Sequence, residues 1–331
     1  MPQWMNFMEK AYNGLYKDIE AVILENDFLR VSILPRWGSK IASIYSLKRN
    51  YELLWQNPNK NFVRTEYGAD FSDGDCSGFD EMFPSISRCY YEDGPWAGTE
   101  IPDHGEVWTI PWTETSDKGT CRMSVQGVRF PYVLQKEVSL EGPDLVIRYT
   151  LENPTRFPFY SIWAAHPLFN TCPGMEIIVP SSLKRIINAV PGKVLGSYGK
   201  VHSFPKTPGP SGREIDLRII PEKSDRYQKY YFSGPLQEGW CSLYHPDRDL
   251  TVSMIFPPDS VPYLGMWINE GGWAGQYNVA PEPATAGMDR VDFSKMWNMA
   301  DCTGPFSKKS WYLRISVVSG KTIPKLNGGT L

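Results

Sequence analysis

Two of the four histidines in this chain stand where an imidazole could move a proton: His104 in "PDHGEVW" (102–108) and His166 in "YSIWAAHPLFN" (160–170). The first stretch also gathers Asp103, Glu106 and Trp108 around its imidazole. His166 closes an apolar run, and Pro167 behind it restricts its backbone to extended angles and ends the ladder. A histidine at a strand mouth can present its ring to a cavity; the same pattern also describes a core imidazole bonded to a carbonyl. The third group is Glu282, between Pro281 and Pro283 in "GGWAGQYNVAPEPATAG" (271–287), with Trp267 and Trp273 nearby in sequence. Two prolines remove two backbone donors, so "YNVAPEP" is not expected to be an ordinary central strand. Glu282 is then a carboxylate on a stiff support, facing either a cavity or solvent. One stiffly held carboxylate, two imidazoles and indole faces suit acid and base chemistry on a polyhydroxylated ring. His202 ("KVHSFP") and His245 ("LYHPDRD") stand in ordinary polar surroundings.

The elements that must hold these groups read as strands. "FLRVSIL" (28–34) sets Leu29, Val31 and Ile33 against Arg30 and Ser32, and "DLVIRYTL" (144–151) sets Leu145, Ile147, Tyr149 and Leu151 against Arg148 and Thr150. "YVLQKEVSL" (132–140), "LTVSMIF" (250–256) and "WYLRISVV" (311–318) alternate in the same way, as antiparallel strands with one wet face do. The 28 Pro and 28 Gly fall mostly between these runs, so an all-β fold is expected, most simply one large β-sandwich domain over residues 1–331. Residues 1–20 read as an N-terminal extension of weak helical character, and residues 203–235 as a long surface excursion.

Composition narrows the function. Net charge is −3, with no basic run to track a phosphate backbone, so nucleic acid is not an expected partner. No apolar stretch reaches the roughly 20 residues of a membrane span, and no basic-then-apolar leader opens the chain, which predicts a soluble cytoplasmic protein, monomer or homodimer. Six cysteines without a C-x-x-C pair read as reduced core thiols rather than a metal site. Aromatic residues make up 14%, enough to furnish both a core and stacking surfaces for a rigid ligand.

The motifs, taken in order, resemble the aldose 1-epimerase (galactose mutarotase-like) family across nearly the whole chain. They are "FLRVSILPRWGSKIASIYSLKRNYELLW" (28–55), "GFDEMFPSIS" (78–87), "DHG" (103–105), "HPLFN" (166–170), with Leu168 where the family usually carries Tyr, and "APEP" (280–283). The resemblance implies a twisted β-supersandwich whose groove binds a free sugar without cofactor or metal. It implies His166 as general acid on the ring oxygen, Glu282 as general base on the anomeric hydroxyl, and His104 as a sugar ligand. The family's arginine motif upstream of the first histidine is replaced here by "GFDEMFPSISRCYYEDGPW", which offers Asp80, Glu81 and Arg88 as polar contacts. Arg88 and Glu81 are therefore candidate substrate ligands, with Trp267 and Trp273 as sugar platforms. For the acidic sugar ligand expected between His166 and Glu282, Asp247 and Asp249 are available but marked by no motif. The expected activity is a cofactor-independent mutarotase, an isomerase acting on a hexose or hexose derivative. A non-catalytic carbohydrate-binding protein and a glycoside hydrolase pairing Glu282 with Glu81 or Asp103 are the alternatives.

Overall fold

The computed structural model describes residues 10–58, 62, 64–117 and 119–324. Strands dominate, and among the described residues one short α-helix (Val291–Met296) and two 3-10 turns are the only helical elements. A 13-stranded sheet runs from Lys10–Tyr16 at one edge to Val201–Ser203 at the other, and an 8-stranded sheet from Glu176–Ile178 to Thr113–Asp117. Three of the runs expected to alternate do so: Leu145, Ile147, Tyr149 and Leu151 are buried, as are Leu134, Val138 and Leu140 of the neighbouring strand and Trp311, Leu313 and Ile315, whereas Leu29–Leu34 and Leu250–Ile255 bury Ser32, Thr251 and Ser253 as well. One core cluster unites residues of both sheets, from Val31 and Phe79 to Leu313 and Ile315.

Three expectations need correction. Residues Lys10–Tyr16 are not helical: they form a strand paired in full with Ile19–Glu25, so this part of the N-terminus belongs to the sheet; residues 1–9 lie outside the described residues. The 203–235 excursion contains a central strand, Tyr227–Phe232, paired with Arg185–Asn188 and Tyr263–Glu270 and buried along most of its length. "YNVAPEP" is also a central strand, Tyr277–Ala284, paired along its whole length with Tyr263–Glu270. Its other edge meets partners only at Asn278, Val279 and Ala284. The ladder on that edge is thus interrupted beside Pro281 and Pro283, the kind of place where a sheet tolerates proline.

Strand register sets the site. His166 pairs with Asp80; Glu282 pairs with Gly265, which pairs in turn with Tyr231. The antiparallel Ala164↔Ala284 pair carries the same row from Glu282 to His166. Residues in one cross-strand row share a face, so five strands point one side chain each, or glycine's lack of one, to the same side of the larger sheet. Glu81, one residue from Asp80, points into the intersheet core.

Candidate active site

A cavity of about 350 Å³ opens over this row, lined by His104, His166, Lys229, Glu282, Asp289 and Asp103, among others. Phe71, Leu168, Trp267 and Trp273 supply its apolar walls. That volume lies at the small end for ligand sites, with a few polar groups converging between aromatic faces.

At the floor, His166 Nε2 lies 3.6 Å from Glu282 Oε1. Glu282 is fully buried, and its Oε2 is ion-paired with Lys229 Nζ at 2.8 Å. Glu282 Oε1 and His166 Nδ1 lack a hydrogen-bond partner. Buried polar atoms are rarely left this way, so a ligand's hydroxyls would find acceptors ready. Lys229 also reaches Asp289 Oδ1 at 3.0 Å, and Asp289 accepts a hydrogen bond from Tyr231 at 2.9 Å.

The electrostatics follow from burial. Burial lowers His166 well below the ordinary imidazole value, reinforced by His104, Lys229 and Lys40. Burial likewise raises Glu282, against the opposing pull of Lys229. For Lys229, burial alone would lower the ammonium, but Asp289 and Glu282 together outweigh it and hold the value above normal. Lys229 is thus charged, and its charge is shared between two carboxylates. On the far side of His166, burial pushes Asp80 up to about 6 despite Lys40 Nζ at 2.7 Å.

His166 makes a testable link between the site and stability. Its value is depressed in the folded chain, so the native state has its full stability above the unfolded imidazole value of about 6.5 and loses it as pH falls below. Urea midpoints measured at about pH 7 and about pH 5 should therefore fall further for the parent than for His166→Gln. Taking the difference between the two proteins isolates this histidine from Glu282, whose raised carboxyl works in the opposite sense.

The "DHG" turn holds His104 by backbone geometry. His104 and Gly105 both have left-handed backbones, φ 57° and 76°. His104 donates its amide to Ile86 O at 2.6 Å, and Gly105 forms a bridge to Phe83. A Cβ at Gly105 would lie 2.1 Å from Phe83 O, which backbone cannot vacate. Gly105→Ala should therefore displace His104, destabilise the chain by roughly 1–3 kcal/mol and weaken any ligand bound in the cavity, checked by urea unfolding and calorimetric titration. Asp103 fixes the imidazole from beside it, its Oδ2 3.0 Å from His104 Nδ1 while accepting the Phe71 amide at 2.9 Å. Phe71 stacks on His104 with ring centroids 4.3 Å apart. Glu106, fully buried, accepts hydrogen bonds from Tyr67, Tyr132 and two backbone amides, which makes it the anchor of the turn. Trp108 is buried behind Phe71 and donates its indole N–H to Asp103 O.

His104, His166, Glu282, Trp267 and Trp273 thus meet in one cavity, while the other candidates lie elsewhere. Glu81 is buried between the sheets, accepting from Lys136, Tyr149 and Trp163, and cannot serve as a sugar ligand. That also removes it as a second hydrolytic carboxylate. Arg88 is exposed and paired with Asp70 and Glu100 rather than facing the cavity. Asp247 and Asp249 do not line the cavity. The stretch between His166 and Glu282 contributes Lys229 there instead, and the acid, Asp289, follows Glu282. His202 and His245 are both buried; His202 is bonded to Leu195 O and close to Thr207. Of the six cysteines, Cys172 and Cys302 are partly buried and the other four are buried. Lys229, Asp289 and Phe71 were not anticipated. The one trace of them in the sequence is the alternation of Tyr227, Lys229 and Tyr231, masked because a lysine in such a run reads as solvent-facing.

Among the described residues no helix is long and apolar enough to cross a membrane. No protein-family model and no curated protein sequence matches the chain. Solved structures do resemble it. A galactose mutarotase related enzyme from Lactobacillus acidophilus superposes with a TM-score of 0.65 at 15% identity, covering 96% of this chain and 100% of that one. A galactose mutarotase-like protein from Lactobacillus casei gives 0.60 at 16% identity over 90% and 100% of the two chains. The Slr1438 protein from Synechocystis gives 0.67 at 15% identity over 95% and 99%. At such identities the likeness concerns architecture, and on that ground the chain has the galactose mutarotase-like fold.

Proposed function

We propose that this chain is an aldose 1-epimerase that exchanges the α and β anomers of an uncharged hexose or close derivative. The observation that carries this reading is the His166–Glu282 pair, 3.6 Å apart with unpartnered polar atoms at the floor of an aromatic-walled cavity. Anomer exchange needs the C1 hydroxyl proton removed while the ring oxygen gains one, followed by rotation about C1–C2 and closure on the other face. Glu282, as carboxylate, takes the hydroxyl proton, and His166, as imidazolium, gives its proton to the ring oxygen. The two protons are returned in reverse order on closure, so no external acid or base is consumed. Burial makes the imidazolium scarce and, once formed, a strong donor. Raising Glu282 strengthens it as a base. The aromatic walls offer stacking faces to the sugar ring, and His104, Asp289 and Lys229 offer hydrogen bonds to its hydroxyls.

Charge supports an uncharged substrate. Among the described residues, Asp70, Asp103, Glu282 and Asp289 line the cavity, the one lysine there is matched by Glu282 and Asp289, and Arg88 outside it is matched by Asp70 and Glu100. A phosphate would meet these carboxylates with no unmatched lysine or arginine among the described residues of the lining. NMR magnetisation exchange on equilibrium mixtures should show accelerated anomer interconversion for a free aldose and none for its 6-phosphate. Failure to accelerate any aldose sinks the proposal. Sugar binding without exchange would point to a carbohydrate-binding protein, and release of reducing ends from a glycoside to a hydrolase.

A further inference from the structure

Among the described residues, one cluster outside the cavity brings three different metal-ligating side chains together. A ring nitrogen of His245, the sulfur of Cys172 and a carboxylate oxygen of Asp247 all lie within 4.8 Å of one another. None of the three lines the cavity. Cys172 follows the short strand Phe169–Asn170, which belongs to the larger sheet through its pairing with Tyr277–Ala284. His245 ends Trp240–His245 in the second sheet, and Asp247 sits in the turn that follows. The three donors therefore come from both layers of the fold.

We propose that Cys172, His245 and Asp247 form a binding site for a divalent metal ion of the zinc class, one that ties the two sheets together. Two features beyond proximity point to a ligand. His245 is 2% exposed, and its Nδ1 has no hydrogen-bond partner, an unusual state for a buried ring nitrogen. The Asp247 carboxylate is also divided between two neighbours. Oδ1 accepts from Cys172 Sγ at 3.1 Å, and Oδ2 lies 3.6 Å from Arg248 Nε. Arg248 is itself held over the Tyr51 ring, 4.0 Å from its centroid, and Tyr51 meets His245 edge-on. The guanidinium thus orients the carboxylate from behind and leaves Oδ1 turned toward the thiol. Outer partners position metal ligands in this way.

Thiolate, imidazole and carboxylate together suit a borderline-soft ion such as Zn²⁺, with a fourth position open to water. Bond lengths of about 2.0–2.3 Å bring tetrahedral ligand atoms to roughly 3.5 Å of one another. The widest pair here has about an ångström to close, which the partly exposed Cys172 and exposed Asp247 can supply. On binding, the Cys172 S–H bond breaks, its electron pair forms the bond to the metal, and its proton leaves to solvent.

The test uses the full chain, chelator-stripped under reducing conditions and titrated with Co²⁺ and then Zn²⁺. Co²⁺ should produce a stoichiometric near-ultraviolet thiolate charge-transfer band, Zn²⁺ should abolish it, and Zn²⁺ should raise Tm because the ion binds the folded chain. Cys172→Ala should lose the band, and Asp247→Asn should weaken Co²⁺ binding by roughly tenfold or more. No band, a band that survives in Cys172→Ala, Asp247→Asn binding like the parent, or an unchanged Tm with Zn²⁺ would each overturn the proposal. His166→Gln is run alongside. Co²⁺ binding lost there but kept in Cys172→Ala would place the ion in the cavity and overturn it equally.

Discussion

Replacing Glu282 by Gln should lower the rate of anomer exchange by about 10²–10⁴-fold while leaving the urea midpoint close to that of the parent. Glutamine keeps the volume and one carbonyl oxygen at the floor but cannot take the hydroxyl proton. The fold should tolerate the change, because Asp289, 3.0 Å away, continues to neutralise Lys229. Burial already raises the carboxyl, so an uncharged side chain there gives up little native-state solvation. Anomer exchange by NMR and urea unfolding on the same preparation separate chemistry from structure. A variant that keeps its turnover, or loses it only together with its midpoint, removes Glu282 from the role of base.

Lys229→Met should have the opposite balance, a loss of stability of about 3–5 kcal/mol read by urea unfolding at neutral pH. The ammonium is buried and lies between Glu282 and Asp289. Without it, two carboxylates face each other, and among the described residues the Tyr231 hydroxyl is the side-chain donor left to Asp289. Both should then take up protons more readily, so the deficit should shrink as pH falls and the carboxyls become neutral. Adding Asp289→Asn to Lys229→Met should recover part of the stability by removing one of the opposed charges. If the single variant is as stable as the parent at neutral pH, Lys229 is not the counter-ion the geometry makes it.

The sequence made part of this arrangement visible. Strand periodicity was plain where one face is wet, as in Asp144–Asn153, because alternation there is also an alternation of polarity. Tyr227–Phe232 hid its strand character. Lys229 falls in the middle of the run, and a lysine reads as solvent-facing unless its two buried partners, 53 and 60 residues further along, are already known. Tyr277–Ala284 was obscured for a different reason. Pro281 and Pro283 argue against a central strand, and only the interrupted pairing on one edge reconciles them with the sheet. Glu81 shows the limit of reading motifs as sites. It neighbours Asp80 in sequence, but the pleat turns it to the other face, where Lys136, Tyr149 and Trp163 consume it.

The cross-strand row has a consequence for how the cavity comes into being. Asp80, His166, Glu282, Gly265 and Tyr231 become neighbours only when strands far apart in the chain have paired, His166 with Asp80 and Ala164 with Ala284. Every such pairing closes a long loop before it gains any contact, which makes β topologies of this kind slow to assemble. Local hairpins such as Lys10–Glu25 can form early and bring none of these groups together. During refolding, strand signal should therefore recover before ligand binding, and a chain shortened ahead of Tyr277 should retain no partial site.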